Sequence, residues 1–150
     1  MKKEGSSSLY LLNNSFSDEG TLSLNTDFDF DGIQYGSLVF ADIDNDNILE
    51  FIVSGQNSSG YTTMVYENNL TSFESSQTLL GAYYSSSSVG DYDIDGDLDF
   101  VNLGRLTSGT RIFPFYRNDD ATFVNNINYT GMYRGSLTSL FIDDDKIDLL

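Results

Sequence analysis

The chemistry this chain can do is concentrated in DYDIDGDLD, where Asp91, Asp93, Asp95, Asp97 and Asp99 alternate with other residues. In a tight loop the first three side chains can converge on one point, and Gly96 permits the sharp turn that brings the later positions around. Asp97 would then offer its backbone carbonyl, and Asp99 would close the shell as a bidentate carboxylate. Oxygen donors at this density suit a hard cation of variable coordination number, Ca2+ before Mg2+. Two carboxylates about 4 Å apart repel by roughly 4 kcal/mol at an effective dielectric near 20. Binding is therefore expected to order the loop and stiffen whatever carries it.

The same phrase is spoken three times at a spacing of about 49 residues, which fixes the architecture before any other consideration. DIDNDNILEF begins at Asp42, and an eroded copy, FIDDDKIDLL, begins at Phe141. Two further anchors keep the register. Gly32, Gly81 and Gly131 each precede an acidic stretch by ten residues, and an aromatic–Asn–Phe pattern recurs as Tyr66, Asn68, Phe73 and as Tyr116, Asn118, Phe123. An EF-hand would need Glu at position twelve between two helices. Position twelve here is Val53 or Asn102, while the acid stands at position nine, as Glu50 or Asp99.

Short β-branched and aromatic segments, not helices, flank these loops. The first unit reads as strands at Gly36 to Ala41, Phe51 to Val53, Tyr61 to Glu67 and Phe73 to Leu80. The second reads as Tyr84 to Gly90, Phe100 to Leu103, Thr110 to Tyr116 and Thr122 to Tyr129, with Pro114 predicting a bulge or an unpaired position in its third strand. Four short antiparallel strands in each 40 to 50 residues predict an all-β chain of β-propeller blades. Residues 36–83 and 84–133 make two complete blades. Residues 9–35, with strands at Leu9 to Leu12 and Phe16 to Leu24, make the second half of another. Residues 134–150, with strands at Leu137 to Ile142 and Ile147 to Leu150, make a first half. Propellers close with about four to eight blades, so residues 1–150 are expected to form a partial propeller. Either the chain belongs to a longer protein, or copies associate as a homo-oligomer that completes the ring.

Acid at position nine between two strands resembles the DxDxDGxxD loop of FG-GAP (VCBS-type) repeats, the blades of integrin α-subunit propellers and of many secreted bacterial proteins. The resemblance implies a structural Ca2+ in each loop, between the first two strands of a blade. Asp91, Asp93, Asp95, Asp97 and Asp99 match that pattern throughout. In the earlier loop Asp42, Asp44 and Asp46 match, Ile48 would give its carbonyl, and Glu50 replaces the usual Asp with a longer arm; Asn47 stands where Gly is usual but tolerates left-handed backbone. The third copy has Phe141 at the first ligand position and is one residue short, leaving Asp143, Asp145 and Asp148 as weak candidates. Asp27, Asp29, Asp31 and Gly32 also spell DxDxDG, but Tyr35 stands at position nine and the register puts the segment at the end of a fourth strand.

Composition narrows the function further. With 39% hydrophobic and 14% aromatic residues the chain is expected to bury a core. A net charge of −16 with seven Lys plus Arg argues against nucleic acid and anionic membrane as partners, and no apolar run is long enough for membrane insertion or an export signal. The absence of Cys and His excludes thiolate sites, the usual zinc sites and His acid–base catalysis. Clustered carboxylates can hydrolyse glycosides, but here they are better spent on metal, so the chain is expected not to be an enzyme. The family resemblance implies an extracellular or cell-surface setting and a role in adhesion, with a protein or glycan ligand. A carbohydrate-binding accessory module of a secreted enzyme is the alternative. Tyrosines exposed together on one face would favour it, whereas Tyr83, Tyr84, Tyr129 and Tyr133 are expected to pack between neighbouring sheets.

Overall fold

The computed structural model describes residues 8–15, 21–131, 135–143 and 146–149. Strands fill most of them, and no helix occurs among the described residues. An antiparallel pair, β1 (Ser8–Ser15) and β2 (Thr21–Asp31), comes first. A four-stranded sheet follows in the order β3 (Gln34–Ala41), β4 (Glu50–Asn57), β5 (Gly60–Asn68), β6 (Phe73–Leu79). A second has the order β7 (Tyr83–Gly90), β8 (Asp99–Arg105), β9 (Arg111–Asp119), β10 (Thr122–Tyr129). β11 (Ser139–Asp143) and β12 (Lys146–Leu149) form a last antiparallel pair. Every strand pairs with its neighbour in sequence, so each sheet is a meander without crossovers.

The two large sheets pack face to face because their second strands are apolar on both sides. In β4, Ile52 joins Ala41, Ile43 and Val65 against Phe100, Tyr116 and Phe123 of the next sheet. Phe51, one residue earlier, points to the opposite face, where its ring lies 5.3 Å from that of Phe30 in β2. Complete burial of Phe100 contributes roughly 2–3 kcal/mol by removal of apolar surface from water. Polar stitches run beside this apolar seam. Gln77 of β6 donates to the Phe123 carbonyl at 2.7 Å and accepts from the Phe123 N–H at 2.9 Å. Nearer the first strands, buried Asn102 donates to Ser54 Oγ at 2.9 Å and to Thr63 Oγ1 at 3.3 Å, and accepts from Ser87 Oγ at 3.2 Å.

That network explains why β4 runs on to Asn57, well past the apolar stretch Phe51 to Val53, while β8 ends at Arg105, two residues beyond Leu103. Ser54 and Asn102 occupy interior positions with their hydrogen bonds satisfied by each other. Near the N-terminus the expected strand Phe16 to Leu24 is seen from Thr21 and runs on to Asp31, seven residues past its expected end, while residues 16–20 fall outside the described set. Pro114 acts by omission. Pairing of β8 with β9 lapses between Val101↔Phe115 and Gly104↔Ile112 and then resumes in the same register, because Pro114 has no N–H for the ladder. The bulge itself lies in the edge strand, between Asn125 and Ile127.

Two of the repeated glycines, Gly81 and Gly131, are packing requirements. A Cβ on Gly81 would run into the Tyr61 carbonyl oxygen, and one on Gly131 into that of Ile112. The chain leaving each sheet crosses the start of that sheet's third strand at a distance only glycine allows.

Candidate metal centre

Residues 42–49 join β3 to β4, and residues 91–98 join β7 to β8, so each acidic stretch is a loop between the first two strands of its sheet. The two loops have the same backbone. Asn45 and Ile94 take φ of 61° and 63°, and Asn47 and Gly96 take 69° and 100°. Such left-handed residues fold each loop back on itself. Ile94 adopts this conformation against its β-branched preference, and does so with its side chain exposed.

Backbone N–H groups turn inward onto the first acid of each loop. Asp42 Oδ2 accepts from Asn47 N at 3.0 Å, and Asp91 Oδ2 accepts from Gly96 N at the same distance. The last acid is held from below: Glu50 Oε2 accepts from Ile43 N at 2.8 Å, and Asp99 Oδ2 from Tyr92 N at 3.0 Å. Carboxylate oxygens of Asp42, Asp44 and Glu50 consequently lie within 4.8 Å of one another, as do those of Asp91, Asp93 and Asp99. Each triad could hold a metal ion.

The remaining expected ligands are placed differently. Asp46 and Asp95 lie in the loops outside the two triads, and one carboxylate oxygen of each accepts from the N–H two residues on, of Ile48 at 2.7 Å and of Asp97 at 3.0 Å. Each of these bonds closes a short turn within its loop. Ile48 and Asp97 follow directly in the same loops. In the third copy Asp143 ends β11 and Asp148 lies in β12, while Asp145 falls outside the described residues. Asp27, Asp29 and Asp31 lie along β2, an extended segment in which alternate positions are about 7 Å apart along the chain.

The electrostatics favour a cation at both places. Burial pushes the Glu50 carboxyl above the usual range, with Asp44 and Asp46 adding to the effect against the Ile43 hydrogen bond. Asp99 is likewise raised by burial, against the hydrogen bonds from Asn118 and Tyr92, with further contributions from Asp93 and Asp95. Asp93 is raised as well, by desolvation and then by Asp95. One atom is more specific still: Asp42 Oδ1 is buried without a hydrogen-bond partner. A buried carboxylate oxygen left unsatisfied costs about 1–3 kcal/mol or more, and a cation within the triad would satisfy it.

Sequence reasoning singled out the acids and missed the residues that tie the loops together. Asn45 Nδ2 donates to Asp97 Oδ1 at 2.8 Å, from one loop to the other. Asn118 Nδ2 donates to the Ile43 carbonyl at 2.8 Å. The recurrence of Asn118 in the aromatic–Asn–Phe anchor was the available signal.

At the opposite ends of the same sheets a tyrosine cluster forms. Tyr61 and Tyr83 stack at 4.9 Å and 6°, and Tyr35 packs edge-on to Tyr83 and Tyr84 at 5.1 and 5.0 Å. Tyr83 and Tyr84 thus pack between sheets as expected, yet Tyr35 remains 55% exposed. Tyr129 is corrected: it is also 55% exposed, and its ring lies 6.1 Å from that of Phe113 in its own sheet, on the edge strand β10. Tyr133 lies outside the described residues. No protein-family model, curated protein or solved structure matches the chain, so what these loops can do rests on their own residues and geometry.

Proposed function

We propose that this chain is a non-catalytic, calcium-binding sector of a β-propeller, in which Ca2+ held by the Asp42 and Asp91 loops stiffens successive four-stranded blades. The observation that carries the reading is the buried, unpartnered Asp42 Oδ1 inside a carboxylate triad whose counterpart recurs in the next sheet. The all-oxygen donor set, loop backbone included, suits calcium's flexible coordination better than the strict octahedron of magnesium. Asp42, Asp44 and Glu50 would hold one ion and Asp91, Asp93 and Asp99 the other, with Asp46, Asp95 and the carbonyls of Ile48 and Asp97 completing the shells. Support for a propeller comes from the order of each meander and from the neighbouring of first strands, β3 beside β7 and β7 beside β11. In the manner of FG-GAP-type modules, the sector would serve recognition at a cell surface or in a secreted protein, its calcium structural and its ligand a protein.

A specific observation favours a second ligand class. The Tyr35–Tyr61–Tyr83–Tyr84 cluster presents aromatic surface at the sheet ends away from the acids, and stacked rings suit the apolar faces of sugars. Glycan-array binding lost in Tyr35→Ala would support that reading.

The calcium claim is tested by thermal unfolding with 2 mM Ca2+ and with excess chelator. A ligand that binds only the folded state at 100 times its Kd stabilises by about 2.7 kcal/mol, enough for a rise of several degrees. Identical transitions in the two buffers would overturn the proposal.

A further inference from the structure

We infer that Asn118 is a positioning residue shared by the two acidic loops and makes them cooperative: calcium held by one loop raises the affinity of the other. The inference rests on the calcium reading above and goes beyond it, since two structural ions need not communicate.

Asn118 sits in β9 and is 1% exposed. Its backbone N–H donates to Asp99 Oδ1 at 2.9 Å, holding the closing acid of the second loop. Its side-chain Nδ2 crosses to the other sheet and donates to the Ile43 carbonyl at 2.8 Å. Ile43 is the residue whose own N–H holds Glu50, the closing acid of the first loop, at 2.8 Å. A single buried residue is therefore bonded to the last ligand of one triad and to the peptide that positions the last ligand of the other. The amide orientation follows from chemistry, because a flipped Asn118 would set its oxygen against the Ile43 oxygen. Its Oδ1 is left without a partner, so what the residue contributes lies in its donors. A second bridge, Asn45 Nδ2 to Asp97 Oδ1, joins the loops at the surface.

This connection is not a general consequence of the repeat. Asn68 pairs with Phe73 as Asn118 pairs with Phe123, yet Asn68 Nδ2 donates at 3.1 Å to the Leu49 carbonyl, within its own sheet. Only at Asn118, of the two, does the bond cross between loops.

The direction of coupling follows from where ordering is paid for. Without cations the carboxylates of each loop repel, and both bridges need both loops closed. Closing the first loop around an ion fixes the Ile43 peptide, which fixes Asn118 and presents its N–H to Asp99. The second ion then meets a loop already partly ordered and binds more tightly. Repulsion between the two ions opposes this, and screening over about 8 Å at physiological salt weakens that opposition.

The test is calorimetric titration of the full chain with CaCl2 in 0.15 M KCl, with and without Asp44→Asn to disable the first loop. We expect Asp44→Asn to weaken calcium binding at the Asp91 loop by about 5- to 30-fold, within the usual range of coupling between sites. In an Asn118→Ala background, where only the Asn45 to Asp97 bridge remains, the same Asp44→Asn change should weaken the second loop by a clearly smaller factor, a difference that general destabilisation would not produce. Asn68→Ala should preserve the coupling. Should Asn118→Ala fail to fold, the exposed Asn45→Ala variant replaces it and should reduce the coupling. Two loops that bind calcium independently would overturn the inference alone. Absence of any calcium heat would overturn the calcium reading and the inference together.

Discussion

At the scale of single residues, the acids of each loop oppose one another until something positive joins them, and Asp93 exposes that conflict most directly. Its carboxyl is solvent-exposed yet pushed above its ordinary range, by desolvation and by Asp95. Asp93→Asn keeps the side chain's shape and removes one charge from the triad with Asp91 and Asp99. The variant should melt at or slightly above the temperature of the unaltered protein without calcium, and clearly below it in 2 mM Ca2+. A purely structural aspartate would shift both melts in the same direction. The acids were legible in the sequence because spacing alone sets whether neighbouring loop carboxylates can converge. Asn118 was recorded as part of a recurring pattern, but its role was hidden because its acceptor is a backbone carbonyl 75 residues away. Sequence carries no mark of which peptide oxygen an amide will meet.

At the scale of elements, the strands were readable where β-branched and aromatic residues cluster, as in β9, whose Ile112, Pro114, Tyr116 and Asn118 all face inward. Reading fell short where polar residues are interior, because buried Ser54 is hydrogen-bonded by Asn102 across two sheets and so prolongs β4 beyond its apolar stretch. The glycine anchors were visible as a repeat without a reason. The reason is the passage of Gly81 over the Tyr61 carbonyl at the link between the two large sheets. The obstacle is backbone and cannot rotate away, so Gly81→Ala should destabilise the protein by roughly 1–3 kcal/mol, measurable as a lower urea midpoint. Gly60, where a Cβ meets nothing within 4 Å but φ is 137°, offers a contrast in which conformational strain acts without any clash. If Gly81→Ala unfolds at the same urea concentration as the unaltered chain, the link is looser than the packing indicates.

For the molecule as a whole, a net charge of −16 makes proton and calcium alternative remedies for the same repulsion. Glu50 and Asp99 have carboxyls raised by burial in the folded chain without calcium. A raised value means the folded form takes up protons more readily than the unfolded form. The associated stability is full below the ordinary carboxylate value near 4 and is lost as pH rises through the raised values. Calcium-stripped protein should therefore melt at a higher temperature as pH is lowered mildly from 7 toward 5. In saturating calcium the sign reverses, because protons compete for the oxygens that the ion requires and acidification releases it. The two melting curves should converge in acid and separate toward neutrality. The convergence discriminates between explanations. A surface-charge effect alone would raise both curves together on acidification, whereas ion binding within the triads requires one to rise and the other to fall. Scanning calorimetry of stripped and loaded protein across that interval reads the difference, and parallel curves would mean that the buried acids of the two loops are not where calcium acts.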